Sequence, residues 1–214
     1  MSKPVQPVIY QFKVVLRRIS PMIWRRLLIR NDSSVADLHH FLQISFGWSD
    51  FHLHRFLIYG KQFGVYRTGG PVFDEDAEKV RLSDFRFRIR ERFLYEYDFG
   101  DNWQHDITLE KILPAEPKGI YPTCIAGKRS APPEDCGGPW QFIKTKLESP
   151  VLSFKLVEDI QEAAKERDMA AIEDLVEQVQ EVLPWLSLGR FDRRAVNRRL
   201  QQYTAGDPQW MEEP

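Results

Sequence analysis

The chain has 214 residues, of which 43% are hydrophobic and 13% aromatic, enough for one domain with an ordinary, ring-rich core. Its 30 basic and 31 acidic side chains give a net charge of −1, which excludes a strong overall attraction to nucleic acid or to an anionic membrane. Two cysteines argue against a disulfide scaffold. Without a long apolar run or a signal-peptide pattern, the sequence predicts a cytoplasmic protein with no membrane partner.

The first predicted element is a β-hairpin that follows a short arm over residues 1–8. Apolar and polar side chains alternate through 9–19, which predicts a half-buried strand. A Ser-Pro pair breaks this strand, and 22–30 is predicted as the returning strand.

A helix is predicted after this hairpin. Ser34 and Asp37 have the spacing of a capping box, and helical spacing of apolar side chains continues until Gly47 ends the helix. His39 and His40 are expected on or beside the polar side of this helix.

A second pair of histidines follows in the next predicted strand. His52 and His54 alternate, so we expect both on one strand face, which they share with Phe56 and Ile58. A His-x-His pair is able to bind metal, but with these apolar neighbours we expect the two histidines to pack in the core or to lie at the surface as ordinary polar side chains.

The segment 95–110 (YEYDFGDNWQHDITLE) predicts a second hairpin around a Gly-Asp-Asn loop. A three-residue loop places Tyr97 opposite His105 and gathers the large rings, including Trp103, on one side of the ribbon. His105 is therefore predicted as a hydrogen-bonded core residue rather than a free base.

The other side of this hairpin is predicted to be acidic. Glu96 falls opposite Asp106, with Asp98 beside them, and like charges opposed across a strand pair are unfavourable. Four arginines alternate with apolar residues over 86–92, and a strand there would place their charges on the acidic side. We expect these arginines to neutralise the carboxylates.

The rest of the chain is predicted as a long loop followed by helices. Residues 114–139 are dense in Pro and Gly but carry two cysteines and a tyrosine, which favours a functional loop over a disordered one. Helices follow from Trp140, and Pro184 is expected to end one of them. Asp192 is placed to N-cap the last helix, with Leu200 on its inward face.

The chain resembles the plasmid pRiA4b ORF-3-like family, whose members are also known as insertion-sequence passenger proteins of TnpR type. The matching segments are YQFKVVLRRISPMIWRRLLI, ADLHHFLQISFGW with HLHRF, YEYDFGDNWQHDITLEKIL, YPTCIAGKRSAPPEDCGG and FDRRAVNRRL. The TnpR label suggests a resolvase, but the sequence contains no serine- or tyrosine-recombinase signature, so we do not expect recombinase chemistry.

The resemblance implies an α+β fold in which a mixed or antiparallel sheet packs against helices, with a β-grasp-like core as one alternative. We expect an α+β core over 9–149 and a helical C-terminal extension over 150–214 that packs on it. Ala131 stands where many relatives have cysteine, which weakens an all-cysteine metal site. The arginine-rich tail, where relatives are more acidic, raises the prospect of an anion contact.

Two kinds of chemical site are candidates. A structural zinc site would use Cys124 and Cys136 with further ligands from His105, His52 or His54, although neither cysteine belongs to a CxxC pair. A magnesium or manganese site for phosphoester hydrolysis would gather carboxylates and a histidine at the hairpin tip and in the PPEDCGG loop, if that loop folds over the tip. Its candidate residues are Asp98, Asp101, His105, Asp106, Glu134 and Asp135. The same side chains are able to serve as caps and turns instead, with Asp101 in the tight loop and Asp135 capping the next helix.

Binding candidates form the remaining group. Arg193, Arg194, Asn197 and Arg198 would line one face of the last helix and contact an anion or nucleic acid, although no known DNA-reading motif is present. Tyr97, Trp103 and Cys136 are further binding candidates, and Cys136 with His105 as base is a weaker nucleophile alternative.

The sequence therefore favours a non-catalytic binding module of mobile-element origin that contacts nucleic acid, a protein partner or a second copy of the chain. The alternative is a divalent-metal-dependent hydrolase of the phosphoester type.

Overall fold

The computed structural model describes residues 7–66, 70–186, 188 and 190–211, and residues 1–6 of the expected N-terminal arm lie outside this part of the chain. The fold is an eight-stranded sheet with helices, in the strand order β5-β4-β3-β6-β7-β1-β2-β8. The strands are β1 (Val8–Leu16), β2 (Trp24–Arg30), β3 (His54–Ile58), β4 (Lys61–Gly64), β5 (Glu75–Asp76), β6 (Arg92–Tyr97), β7 (Trp103–Pro114) and β8 (Thr123–Lys128). The helices are α1 (Val35–Phe46), α2 (Gly138–Glu166), α3 (Met169–Leu186) and α4 (Arg193–Ala205), with 3-10 turns at Leu82–Phe85 and Pro208–Met211.

The predicted α+β class with a mixed sheet is confirmed. Described neighbours in the sheet are antiparallel except for the pair β4–β5, which lies at one edge. The central pair, β1–β7, is antiparallel. A β-grasp core has parallel strands at its centre, so the structure corrects that alternative. Among the described residues, no helix combines the length and apolarity that crossing a bilayer requires.

The first hairpin and α1 form as their sequence patterns predict. Alternate side chains of β1, from Tyr10 to Leu16, are buried in the core. The Ser34 hydroxyl accepts a hydrogen bond from the backbone of Asp37, whose carboxylate accepts one in return from the backbone of Ser34. At the other end Gly47 adopts φ 76°, the left-handed conformation that stops a helix at low cost. These caps set the two ends of α1.

The central hairpin has the predicted faces but a different register. Tyr97 pairs with Trp103 and Tyr95 with His105, so the loop runs from Asp98 to Asn102 and is two residues longer than expected. A shift of two residues preserves the side of every side chain, because strand residues alternate with a period of two. The large rings therefore still share the core face.

The acidic face is neutralised by a different arginine from those predicted. Residues 86–91 form turns rather than a strand, because the 3-10 turn before them ends at Arg86 with φ 50°. Glu96 lies opposite Gln104, not Asp106, and its carboxylate accepts a hydrogen bond of 2.6 Å from Nε of Arg55 on β3. The charge partner of Glu96 therefore comes from the neighbouring strand.

The predicted loop 114–139 contains β8, which pairs with β2. Its sequence, TCIAGK, has no clear alternation and lies between Pro/Gly-rich stretches, so only pairing with β2 reveals it. The structure thus replaces one long loop with a strand and two shorter connections.

The C-terminal helices make two kinds of contact. Phe142, near the start of α2, is buried against Trp103, and α4 packs against α1 and β8. Farther along, α2 and α3 pack on each other around Leu156 and Leu175. The predicted domain boundary at 149/150 falls inside α2, and α3 continues past Pro184 to Leu186.

Candidate functional site

Three loops meet at one end of the sheet: the β6–β7 loop, the segment 47–53 after α1, and the segment 129–137 after β8. Trp48 joins them, because its ring stacks on Tyr97 at 5.1 Å between centroids and its Nε1 donates a hydrogen bond to the carbonyl oxygen of Pro132 at 3.0 Å. The PPEDCGG loop therefore does fold against the hairpin, as the hydrolase hypothesis required.

Glu134 attaches that loop to both neighbours. Its Oε1 accepts a short hydrogen bond from the hydroxyl of Tyr97, and its Oε2 accepts hydrogen bonds from the backbone and hydroxyl groups of Ser49. Burial, reinforced by the Glu134 carboxylate, raises the pKa of Tyr97 well above its usual range. Tyr97 thus acts as a donor, and Glu134 is engaged by two segments.

Next to this contact, His52, Asp98 and Asp135 bring together one imidazole and two carboxylates. One ligand atom from each lies within 4.8 Å of the other two. Nε2 of His52 is shielded from solvent and only 3.0 Å from Oδ1 of Asp135, yet the two groups are not aligned for a hydrogen bond. Nδ1 of His52 lies 3.9 Å from Oδ1 of Asp98. The three ligand atoms therefore lie close together, but neither ring nitrogen of His52 makes a hydrogen bond to these two carboxylates.

The local backbone explains how Asp98 reaches this position. Asp98 has φ 54°, which turns the chain out of β6, and its Oδ1 accepts hydrogen bonds from the backbone N–H groups of Gly100 at 2.9 Å and Asp101 at 3.3 Å. Such a turn is typical of aspartate. The carboxylate is 12% exposed, whereas that of Asp135 is 75% exposed, so the cluster opens to solvent on the Asp135 side.

A second cluster, whose His39 ring lies 6.4 Å from the Tyr97 ring, contains His39, His40 and Asp50. Its hydrogen bonds define the proton positions. Gln43 donates to the hydroxyl of Tyr95 at 2.8 Å, so the Tyr95 proton is directed to Nδ1 of His39 at 2.7 Å. Nε2 of His39 then donates to Asp50 at 2.6 Å. Both ring nitrogens of His39 are engaged, so a cation here would have to displace an existing hydrogen bond.

Of the four histidines before the hairpin, His39 and His52 differ from their predicted positions. His39 is 1% exposed and stacks on the ring of His54 at 3.4 Å, so it lies in the core rather than on the polar side of α1. His54 is buried with Phe56, as the face prediction required. His52 precedes β3 and lies in the loop cluster instead.

The predicted catalytic residues separate into two groups. Asp98 and Asp135 meet, with Glu134 beside them. Asp101 instead accepts a hydrogen bond from the backbone of Gly137 at 3.1 Å, and Asp106 faces Arg17 on the opposite side of the sheet, at 3.6 Å. Asp135 does not cap α2, whose N-cap is Gly137 with no side-chain hydrogen bond. Asp101 lies in the tight loop, where the chain turns its carboxylate toward Gly137. Asp106 follows the core residue His105 on β7, and neighbouring residues of a strand point to opposite faces of the sheet.

His105 is fully buried between Phe46, Trp48 and Tyr95, on the core side. Burial lowers its pKa to about 3, so the ring is neutral at ordinary pH. Neither ring nitrogen has a well-aligned hydrogen bond within the described part of the chain, and the nearby backbone of Trp103 and Tyr95 only partly offsets the effect of burial on the pKa. It is therefore unavailable as a general base.

The cysteine candidates do not form a metal site. Cys124 is buried and Cys136 is half-buried, both are free thiols, and neither joins a group of ligands among the described residues. Burial, with the charge of Asp101, raises the pKa of Cys136 to about 12, which disfavours the thiolate that a nucleophile requires. Trp103 is fully buried, so it is not an accessible binding surface.

The arginine face of α4 is only partly free. Arg194 and Arg198 are exposed, but Nη1 of Arg193 donates to the carbonyl oxygen of Ile125 at 3.1 Å. Asn197 accepts a hydrogen bond from the backbone N–H of Cys124 at 2.8 Å and donates one to its carbonyl oxygen at 3.1 Å. The predicted N-cap at Asp192 is present. Asn197 therefore attaches α4 to β8 rather than facing a ligand.

Sequence reasoning did not identify Asp50 as a cluster member, and for His52 it favoured packing over a role as a metal ligand. The signal that points to them is weak: both follow the glycine that ends α1, in a polar segment just before a strand. Their partners lie 46 residues or more away for His52, and only the folded structure brings them together.

Comparison with known proteins agrees with this architecture. A family model described as "Plasmid pRiA4b ORF-3-like protein" matches residues 8–148. The chain belongs to this family. The matched segment includes every strand, α1 and all three loops of the candidate site.

Two relatives extend the comparison. The uncharacterized protein y4hQ of Sinorhizobium fredii is 34% identical over 139 residues, which cover 63% of this chain and 69% of that protein. The crystal structure of MM3350, a protein of unknown function from Methanosarcina mazei Go1, matches with a TM-score of 0.64 and 30% identity over 89% of this chain and 98% of that one. These likenesses define the family and fold, and neither name states an activity.

Proposed function

We propose that this protein is a non-catalytic binding module that takes a divalent cation between His52, Asp98 and Asp135. The observation that carries the proposal is the approach of one donor atom from each residue to within 4.8 Å of the other two. Ligand atoms around a zinc ion at about 2.1 Å lie roughly 3–4 Å apart, so small side-chain movements would close the site.

The chemistry of the donors supports a transition metal over calcium. An imidazole with two carboxylates suits Zn²⁺ or Mn²⁺, whereas calcium prefers six or more oxygen ligands. The backbone N–H groups of Gly100 and Asp101 hold Asp98 in place, which is the kind of support that metal ligands receive from neighbouring groups.

A bound cation would also join three separate segments. His52 belongs to the loop after α1, Asp98 to the end of β6, and Asp135 to the loop after β8. Since a ligand that binds only the folded state stabilises it, metal binding should raise the melting temperature, and the rise should grow with the logarithm of the free metal concentration above Kd.

The test is calorimetric titration of metal-free protein with ZnCl₂ and MnCl₂, combined with thermal melts. We expect one ion per chain, binding weakened at least tenfold by Asp135→Asn and by His52→Gln, and an unchanged affinity for Asp106→Asn. Asp106 is a matched control because its half-exposed carboxylate faces Arg17 on the other side of the sheet. Equal affinity in all three variants, or no binding by the native chain, contradicts the proposal.

A metal-dependent phosphoester hydrolase is the second candidate. Three protein ligands leave coordination positions for water, which is what hydrolysis by a metal-activated nucleophile requires. Turnover of a chromogenic phosphodiester in MnCl₂ that disappears in Asp135→Asn and persists in Asp106→Asn would favour it. Stoichiometric metal binding without turnover favours the binding module.

A further inference from the structure

A cavity of about 440 Å³, which none of the three proposed cation ligands lines, lies between the end of α1, the segment 130–133 and the start of α4. Most of its lining is apolar, and three arginines, Arg25, Arg190 and Arg199, also line it. Its volume is in the range of pockets that hold small organic ligands.

Arg25, on β2, is the unusual member of this lining. The residue is only 1% exposed. Its Nε donates to the carbonyl oxygen of Ser45 at 2.7 Å, and its Nη1 donates to the carbonyl oxygens of Trp24 at 2.9 Å and Lys128 at 3.3 Å. Among described residues Nη2 has no hydrogen-bond acceptor, and no carboxylate lies within 4.0 Å of the guanidinium.

A buried charge without a counter-ion is costly, so proteins usually pair it. Burial lowers the pKa of Arg25 to about 10, which still leaves the guanidinium charged at neutral pH. The nearby thiol of Cys124 does not supply a negative charge, because burial raises its pKa as well. Three neutral carbonyl groups solvate the cation, and its charge remains uncompensated by the described chain.

The rings around Arg25 leave one direction open. Phe191 lies 3.9 Å and Phe46 4.9 Å from the guanidinium carbon, measured to the ring centroids. Gly127 permits this packing, since a Cβ there would lie 2.5 Å from the Phe191 ring and 3.0 Å from Cδ of Arg25. With aromatic rings against it and three carbonyls on its other N–H groups, Nη2 is the guanidinium nitrogen that no described residue engages, and it is left for a ligand.

Charges nearby reinforce the attraction for an anion. Arg190 and Arg199 add two positive charges, and Asp192, the one carboxylate among the described lining residues, accepts hydrogen bonds from the backbone of Arg194 and Ala195 at the start of α4. The N-terminal end of α4 contributes a further partial positive charge.

We propose that this cavity binds a small organic carboxylate, whose carboxylate group pairs with Nη2 of Arg25 and whose apolar body lies against Ile44, Phe46 and Pro133. The mostly apolar lining favours such a ligand over inorganic phosphate, which has no apolar body to bury. This site shares no ligand residue with the cation site, so the two proposals succeed or fail separately.

The test uses benzoate and hexanoate as probes, with inorganic phosphate for comparison, in ligand-observed NMR and calorimetry on the full chain. We expect both carboxylates to bind, phosphate to bind at least tenfold more weakly, and Ala195→Leu to weaken carboxylate binding at least tenfold. Ala195 lines the cavity, and leucine is a good helix former, so this variant fills the space while keeping every charge.

A second variant tests the charge itself. Arg25→Met should abolish carboxylate binding, and circular dichroism and thermal melts show whether this variant remains folded. If Arg25→Met fails to fold, Ala195→Leu alone decides the matter. Absence of carboxylate binding to the native chain, or equal binding by native and Ala195→Leu proteins, overturns the proposal. Phosphate binding as tight as that of benzoate also overturns it, because the attraction would then be electrostatic only.

Discussion

The hydroxyl of Tyr97 donates a hydrogen bond to Oε1 of Glu134 and thereby fastens the loop after β8 to the end of β6. Because Glu134 also accepts hydrogen bonds from Ser49, this single carboxylate holds together the three segments that form the candidate cation site. The geometry of Asp98 and Asp135 depends on it.

Tyr97→Phe should lower the free energy of unfolding and increase the mobility of the PPEDCGG loop. Losing a hydrogen bond to a charged group costs about 1.5–3 kcal/mol of unfolding free energy. Urea denaturation and amide hydrogen exchange over 130–137 would measure both effects. Tyr59→Phe is a matched control, since the Tyr59 hydroxyl donates to Glu91 at 2.6 Å on the exposed surface and should matter far less. Equal losses in the two variants would contradict the structural role of Tyr97.

The same region shows what could be predicted from sequence and what could not. The sequence correctly predicts which side chains of the central hairpin face the core. Strand side chains alternate between the two faces, so a register shift of two residues leaves each of them on the same face. The predicted pairing register of this hairpin is wrong because the turn at Asp98, with φ 54°, begins the loop two residues early. No local sequence pattern indicates this turn. Caps such as Ser34–Asp37 were predictable because they span only three residues.

Long-range partners were the harder part. Arg55 is 41 residues from Glu96, and the nearer arginines of 86–92 alternated convincingly, yet the chain turns before them. His52 meets Asp98 and Asp135 only because three loops converge, which depends on sheet order rather than on any motif. The fold class is predictable from hydrophobic patterns along the chain. The site is not, because its residues meet only when the distant segments pack together.

The Arg55–Glu96 pair gives a second prediction. Glu96 is almost fully buried, with a side chain 8% exposed, so Arg55→Met leaves its charge without a cation and should cost about 2–4 kcal/mol of unfolding free energy. Arg88→Ala, at one of the exposed arginines first expected to serve this role, should leave stability unchanged. Denaturant titration measures both, and adding Glu96→Gln to Arg55→Met should recover part of the loss. A larger loss of stability in Arg88→Ala than in Arg55→Met would show that the arginines of 86–92 neutralise the acidic face, as the sequence predicts.

His105 predicts a pH dependence. Its pKa falls from an ordinary value of 6.5 to about 3 on folding, so between these values the unfolded chain binds more protons than the folded chain. The free energy of unfolding should therefore fall as pH is lowered from 6.5 toward 3, by up to about 1.4 kcal/mol per pH unit from this group. His105→Leu, which removes the titrating ring, should flatten this slope.

The control for that measurement is Ile107→Val, also on the buried face of β7. This change should lower stability by about 1 kcal/mol at every pH, because it removes one buried methylene and no titrating group. Parallel pH curves for the native chain and His105→Leu would show that another group governs the acid transition.

Asn197 gives a fourth prediction. Asn197→Ala removes two hydrogen bonds to the backbone of Cys124 and should cost about 2–3 kcal/mol, with faster hydrogen exchange at the Cys124 amide. Arg198→Ala, the exposed neighbour on the same helix, should leave stability and exchange unchanged. If the two variants behave alike, α4 is not held on β8 by this side chain.

The position of Asn197 also bears on how copies of this protein avoid one another. β8 is the last strand in the sheet order, and an open edge offers backbone groups with which another extended chain is able to pair. Asn197 presents a carbonyl and an amide N–H to Cys124 in the donor–acceptor pattern that a ninth strand would present. Since that pattern comes from a helix, which cannot extend the ladder, α4 covers the outer edge of β8 at Cys124 and disfavours the pairing of another strand there.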